Sequence, residues 1–249
     1  MKIQPVKLKN DPIVEAIFEL RFEPRKSALS DLLPGLMYGK LGDRFPTLER
    51  LPFSTVPREF LQQAPDLKYQ ARFRLIGNSF AILFGDYCLS LSSLKPYVGW
   101  EQFKPFIIEI LGYLKDSTLV GAIERYSIKY VNLLPAAHGD FAEQYKYLNF
   151  SANLGKFPLT SSPTWVRAEI DDANYMNLLE FAANAQIKTL AGEQLDGLLL
   201  TIDTISKSTD NFWDTPEKYI ESAHQTEKAI FFETLSDEAG QIFGAIWEK

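Results

Sequence analysis

The chain has 249 residues and a net charge of −6, with 46% hydrophobic and 23% charged residues. This composition is typical of a globular protein, and a chain of this length can bury a substantial core as one large domain or two small ones. The acidic balance argues against a general nucleic-acid binder, whose affinity depends on neutralising phosphates. No apolar run reaches the roughly 18 residues that a membrane helix needs. The sequence does not establish a biochemical activity.

The first residues and the cysteine content indicate the cellular compartment of the protein. The N-terminal stretch lacks the apolar segment of a signal peptide. Cys88 is the only cysteine, so the chain forms no internal disulfide and suits a reducing environment. We therefore expect a cytoplasmic protein without a membrane anchor.

The first 65 residues predict a strand, a helix and a loop. Apolar and charged residues alternate over Val14–Phe22, which is typical of a strand with one buried face. Ser27 is a suitable cap for a helix that Pro34 and Gly35 would interrupt. From Phe45 to Pro65 four prolines recur, which predicts an ordered loop without regular structure.

The stretch from Tyr69 to Leu134 predicts a strand, a turn, further strands, a helix and a last strand. Alternation over Tyr69–Leu75 is followed by turn residues at Gly77–Ser79, and the alternation then resumes from Phe80. A second break, at Gly85-Asp86, is either a bulge or another tight turn.

The helix and the last strand of this stretch are predicted from the different spacings at which apolar residues recur. Apolar residues from Trp100 to Leu114 recur at three-and-four spacing, the pattern of an amphipathic helix. Pro105 lies within it, so we expect the regular helix to begin near this residue or to kink. Ile123–Leu134 alternates again, and a helix on one face of an antiparallel sheet satisfies both patterns.

Three segments carry a family resemblance. They are Asn10–Phe22 (NDPIVEAIFELRF), Tyr97–Phe103 (YVGWEQF) and Glu124–Asn132 (ERYSIKYVN). Together they resemble a sporadically distributed bacterial family of uncharacterised proteins, which has no assigned biochemical activity. The resemblance implies a soluble prokaryotic protein and carries over no catalytic residue.

The second half repeats the order of strands followed by a long helix. We place the internal boundary after Pro135, which divides the chain into residues 1–135 and 136–249, or leaves one continuous domain. A short helix at Phe141–Leu148 precedes three predicted strands, and a helix over Pro216–Leu235 precedes a last one capped by Ser236. The predicted strands are Trp165–Ile170, Tyr175–Ala183 and a central one, Leu198–Ile205.

We therefore predict an α+β protein with antiparallel sheets and helices packed mainly on one face. The similar order of elements in the two β-rich halves is compatible with an ancient duplication, although no residue-level repeat supports it.

Several common sites are not supported by the sequence. His138 and His224 lie far apart and lack metal-ligand spacing, and phosphate-binding glycine motifs are absent. Gly77–Ala81 has the outline of a nucleophile elbow, but it joins two predicted strands and therefore indicates a hairpin turn. Glu169, with Asp171 and Asp172, indicates a polar turn more than a cation site. We expect no catalytic residue, metal or cofactor.

Charge on the sheet is the most suggestive feature. If the strands pair as expected, charged side chains lie opposite the helices, and the polar Asn132 lies among inward residues. The simpler interpretation is a solvated face of ion pairs, and the alternative is a groove for an anionic ligand. The ligand-binding candidates are Arg72, Arg74, Arg125, Lys129 and Asn132, and the acidic neighbours are Glu15 and Glu19.

Two functions follow as hypotheses. The first is a non-catalytic binding or regulatory module that acts through a partner protein, which the sequence does not identify. The second is an enzyme or binder for a small anionic ligand that uses the basic face as an electrostatic clamp. A homodimer is compatible with either. Nucleic acid is disfavoured by charge, and the many aromatic residues lie mostly at buried periodicities.

Overall fold

A computed structural model describes residues 4–65, 67–189 and 192–247. The protein is α+β, with a large antiparallel sheet, as the sequence predicts. The helices in the described ranges are α1 (Leu29–Leu41), α2 (Arg58–Gln63), α3 (Trp100–Asp116), α4 (Phe141–Tyr145), α5 (Pro216–Thr234) and α6 (Asp237–Ile242). The strands there are β1 (Lys7–Leu8), β2 (Ile13–Pro24), β3 (Thr47–Arg50), β4 (Phe73–Ile76), β5 (Phe80–Phe84), β6 (Cys88–Leu94), β7 (Val120–Pro135), β8 (Asn153–Leu154), β9 (Phe157–Pro158), β10 (Trp165–Asp171), β11 (Tyr175–Lys188), β12 (Gln194–Ser206) and β13 (Ala245–Ile246).

Nine strands hydrogen-bond in the order β10-β11-β12-β7-β2-β6-β5-β4-β3. The outermost strands are therefore β10 and β3. The run of Leu198, Leu199 and Leu200 lies in β12, between β11 and β7, which confirms its predicted central position. Two further pairs, β1 with β13 and β8 with β9, form small antiparallel ribbons.

The chain divides into two compact units, and each takes segments from both halves of the sequence. Unit 1 comprises residues 1–15, 129–204 and 222–249, and unit 2 comprises residues 16–128 and 205–221. The predicted division at Pro135 concerns independent folding and stays a prediction.

The core of unit 2 lies where α3 meets the sheet. Phe80 on β5 stacks on Phe106 of α3 with ring centroids 4.2 Å apart, and Ile110 of the same helix is fully buried. The predicted alternation of β2 is confirmed, because Phe18 and Leu20 are fully buried while Glu19 between them is partly exposed. Burial of these apolar faces is the main contribution to the stability of the unit.

The core of unit 1 joins β11, β12 and the C-terminal helices. Leu198, Leu200 and Ile202 are fully buried and form one cluster with Phe181 of β11 and Phe231 of α5. Ser236 caps α6 as predicted, because its Oγ accepts a hydrogen bond from the Ala239 N–H.

The hairpin between β4 and β5 is confirmed, and Gly85-Asp86 forms a second tight turn. The Gly77 N–H donates to the Phe80 carbonyl, and the Gly85 N–H donates to the Cys88 carbonyl, so each turn joins antiparallel strands. The strand predicted from Tyr69 is shorter and begins at Phe73.

In three regions the structure differs from what the prolines predict. Helix α1 continues through Pro34 and α3 through Pro105, although each proline removes a backbone donor. The predicted loop after Phe45 contains β3 and α2, because its prolines precede or begin short elements. The cap of α1 is Ala28, with φ of 56°, instead of Ser27.

The C-terminal helix also ends earlier than the apolar residues Ile242, Phe243, Ile246 and Trp247 predict. Helix α6 stops at Ile242, and Ala245–Ile246 form a strand that pairs with Lys7–Leu8. This pairing satisfies backbone groups of both chain-terminal segments.

Candidate functional site

Arg72 is not exposed to solvent. It precedes β4 and is buried, with its guanidinium donating to the Ser54 carbonyl at 2.9 Å and the Val56 carbonyl at 3.0 Å. These bonds satisfy carbonyls of the proline-rich segment, so Arg72 holds that segment against the sheet.

Arg74 and Arg125 lie in ion pairs. Arg74 Nη2 donates to Glu49 Oε2 at 2.6 Å, across the β3–β4 pairing. Arg125 Nη2 lies 3.3 Å from Glu19 Oε1, which also accepts from Arg21 Nε at 2.7 Å. Both arginines therefore have a carboxylate partner, as the simpler interpretation of the face requires, and Arg125 shares its partner with Arg21.

A denser network adjoins these pairs in unit 2. The guanidinium of Arg21 lies 4.0 Å from the ring centroid of Tyr69, and Lys68 Nζ lies 3.0 Å from Glu124 Oε1. The Tyr69 hydroxyl donates a hydrogen bond to Glu124. Burial, together with the bond to Glu124, raises the pKa of Tyr69. These ion pairs thus join three cations, Arg21, Arg125 and Lys68, to two carboxylates, Glu19 and Glu124, so most of the charge is paired within the network.

Lys129 and Asn132 belong to unit 1. Lys129 is partly exposed on β7. Asn132 is buried as predicted, and its Nδ2 donates to the Leu200 carbonyl at 3.3 Å, while its Oδ1 has no hydrogen-bond partner among the described residues. The five candidates are thus distributed over both units, and binding of an anion to them stays a prediction that this geometry does not favour.

The sequence interpretation missed a buried acid on α5. Glu227 is only 4% exposed, and its Oε1 has no hydrogen-bond partner in the described part of the chain. Burial raises the pKa of this carboxyl well above its usual value. Its spacing of four residues from both Ala223 and Phe231, which are buried, was the signal that could have identified it.

Histidine and cysteine are used structurally. His224 Nδ1 lies 3.1 Å from the Tyr130 hydroxyl, and Cys88 is buried with its thiol donating to the Tyr69 carbonyl. Burial raises the pKa of the Cys88 thiol, which opposes a role as a nucleophile. The described residues contain no cluster of histidine, cysteine and acidic side chains suited to a metal ion.

Unit 1 contains an open cleft of about 630 Å³ beside its C-terminal helices. Glu233, Asp237 and the exposed Trp247 contribute to its lining, and none of its described lining residues is basic. The cleft therefore gives no support to binding of an anion.

The most distinctive exposed feature is the edge formed by β10. Three large apolar side chains lie within twelve residues of sequence and are each more than 60% exposed: Leu154 and Phe157 on the β8–β9 ribbon, and Trp165 on β10. Ile170, at the other end of β10, is 42% exposed. We define the β10 edge surface as Leu154, Phe157, Trp165, Arg167, Glu169 and Ile170.

Hydrogen bonding leaves one side of β10 available. The strand pairs with β11 from Trp165 to Asp171, and among the residues that the structure describes no strand pairs with its other side. An edge strand presents backbone donors and acceptors that another chain can use. Alternation in the sequence predicts the strand itself but not its edge position, because strand order depends on pairing between distant segments.

No helix in the described ranges is both long and apolar enough to cross a membrane. Comparison with known proteins finds no matching family model and no matching curated protein. The resemblance of the chain to an uncharacterised bacterial family, whose distinctive residues lie in the first 135 positions, therefore stays a prediction.

Proposed function

We propose that the chain is a non-catalytic binding module that contacts a partner protein through the β10 edge surface. The observation that carries this proposal is the combination of an unpaired side of β10, within the described chain, and the exposed Trp165 on that strand. Phe157, eight residues earlier in the sequence, is also exposed, and exposed apolar surface is typical of interaction sites.

The backbone of β10 and the exposed side chains contribute to binding in different ways. The backbone of an edge strand supplies hydrogen bonds to an added strand, whereas side chains determine which strand fits. Tryptophan is enriched among the interface residues that contribute most to affinity, because it buries a large area with few rotatable bonds. Trp165 is therefore the side chain expected to matter most.

The alternative, a small anionic ligand on the basic face, has weaker support. Arg74 and Arg125 are paired with Glu49 and Glu19, and Arg72 donates to backbone carbonyls. An anion would have to displace these partners, which costs the interactions already made.

Photo-cross-linking tests the proposal. A photo-reactive benzoylphenylalanine at position 157 should cross-link to one reproducible protein band in native cells. The matched control carries the same group at position 60, because Phe60 is 60% exposed and Phe157 is 63% exposed. Trp165→Ser should reduce the cross-link at position 157 about 30-fold, the loss expected of a residue worth about 2 kcal/mol.

Three outcomes would contradict the proposal. They are no cross-link from position 157, equal cross-linking from position 60, and an unchanged yield with Trp165→Ser. Cell fractionation of the same strain also tests the cytoplasmic location that we infer from the single buried cysteine.

A further inference from the structure

We infer that the partner of the β10 edge surface is a second copy of the same chain, paired antiparallel along β10. This inference rests on the proposed function, since it names the occupant of the same surface. It depends on the backbone direction and on the charge pattern of β10.

The backbone of β10 determines which residues face the unpaired side. The Ala183 N–H donates to the Thr164 carbonyl, and the Asp172 N–H donates to the Tyr175 carbonyl. Backbone groups of successive residues in a strand point alternately to the two sides. Even-numbered residues of this segment therefore bond to β11, and the backbone groups of Trp165, Arg167 and Glu169 point to the unpaired side.

Antiparallel pairing of two copies by a two-fold axis must join odd-numbered residues to odd-numbered ones. The axis then passes through a residue of β10, and three central registers are available. An axis at Arg167 places two arginines opposite each other. An axis at Glu169 places two glutamates opposite each other, although it also places each Arg167 opposite Asp171 of the other copy. Like charges directly opposite are destabilising, and only the register with its axis at Ala168 avoids them.

An axis at Ala168 gives a self-complementary interface. Arg167 of each copy then lies opposite Glu169 of the other, in positions that also exchange backbone hydrogen bonds. Both side chains are at least half exposed, at 51% and 60%. Within one chain Arg167 lies 3.6 Å from Glu169 and 3.7 Å from Glu180, so these long, exposed ion pairs would be exchanged for pairs between the two copies. Charges on an edge strand usually prevent pairing. Here their alternation in sign about Ala168 favours it.

The same register places apolar residues together. Val166 packs partly against the core of unit 1, and by alternation Ile170 lies on the same side of β10. With the axis at Ala168, Val166 of one copy lies opposite Ile170 of the other. The exposed part of Ile170 would thereby be covered.

Light scattering coupled to size-exclusion chromatography, at up to about 0.1 mM chain, tests this arrangement. The wild-type chain should have twice the mass of 28.3 kDa. Arg167→Glu and Glu169→Arg should each be monomeric, because each places like charges at both contacts. Arg50→Glu is the matched control, since Arg50 is exposed on β3 at the other end of the sheet, and it should remain dimeric.

Restoration of the dimer distinguishes pairing from misfolding. An equimolar mixture of Arg167→Glu and Glu169→Arg should form heterodimers, because every contact then joins opposite charges. The double variant with both changes should form homodimers for the same reason. A misfolded variant would not recover in either case.

The inference is overturned by a monomeric wild-type chain, by dimers that persist in both single variants, or by no recovery on mixing. A monomeric chain whose position 157 still cross-links to a different protein would overturn this inference and leave the proposed function intact. Absence of both dimer and cross-link would overturn both.

Discussion

Glu227 is an acidic residue that lies in a buried environment, unlike the aqueous one of the unfolded chain. Its carboxyl is buried on α5, and no hydrogen bond to its Oε1 is made within the described chain. A charged carboxylate in such a position is costly, so the protonated form is favoured in the folded state. The unfolded chain exposes the same group to water and restores its ordinary pKa.

This difference in pKa predicts a specific dependence of stability on pH. Since the folded state retains a proton that the unfolded state releases, the contribution of Glu227 is fully present below about pH 4.5 and is lost as the pH rises through the raised pKa. Glu227→Gln should remove this loss, which has a slope of at most about 1.4 kcal/mol per pH unit. Urea unfolding at a series of pH values measures it.

Comparison of variants isolates the effect of this one group. Burial also raises the pKa of Asp11, so the wild-type curve contains more than one contribution. Glu233→Gln on the same helix is the control, because Glu233 is exposed, and its curve should follow that of the wild type. Parallel curves for wild type and Glu227→Gln would show that Glu227 is ionised in the folded protein.

At the scale of elements, Asp86 connects a tight turn to a helix. It lies between β5 and β6, and its Oδ1 accepts from the backbone N–H and the hydroxyl of Ser30, in the first turn of α1. Its Oδ2 accepts from Arg58 Nε at 2.9 Å. A carboxylate from a distant segment therefore takes the place of a local cap on α1.

Asp86→Ala should reduce the free energy of unfolding by about 2–4 kcal/mol. The substitution removes the hydrogen bonds to Ser30 and also removes one carboxylate partner of Arg58. Arg58 retains its ion pair with Asp31 at 2.7 Å. Asp116→Ala, at an exposed position, should change stability by less than about 0.5 kcal/mol. Thermal or urea melts compare the two, and equal losses would contradict the role assigned to Asp86.

The bond between Asp86 and α1 also illustrates why the sequence predicts strands and helices better than it predicts where they begin. The alternation in Val14–Phe22 and Ile123–Leu134 reflects burial of one face, so both strands were predicted with bounds close to those observed. The start of α1 was wrong because its N–H group is satisfied by Asp86, which lies 56 residues away. Local propensity indicates an element, whereas its ends depend on tertiary partners.

The candidate site was less predictable than the fold for a related reason. Alternation could not decide whether Glu19 lies opposite the arginines, and the structure pairs it with Arg125. Arg72 lies before the strand and bonds to the proline-rich segment. The edge position of β10 follows from strand order, which no local pattern encodes. The sequence contains the opposite charges of Arg167 and Glu169, but they indicate pairing between two copies only when the edge position of β10 is known.

At the scale of the whole molecule, both compact units are built from separated segments. Unit 2 needs residues 205–221 from the second half of the sequence, and in it Phe212 lies 5.0 Å from Tyr126 between ring centroids. Tyr126 also contacts Tyr219, at 6.0 Å. A fragment that ends at Pro135 would lack both aromatic partners and expose the buried face of β7.

The two halves of the sequence should therefore fail to fold when they are separated. We expect the fragments 1–135 and 136–249 to aggregate or remain unfolded alone, because each lacks strands or helices that complete its cores. Co-expression should recover a soluble complex in which the fragments are present in equal amounts. Circular dichroism melts of each purified fragment measure cooperative unfolding. A cooperative melt of 1–135 alone would instead establish that the first half is an independent domain and that residues 205–221 are dispensable for its core.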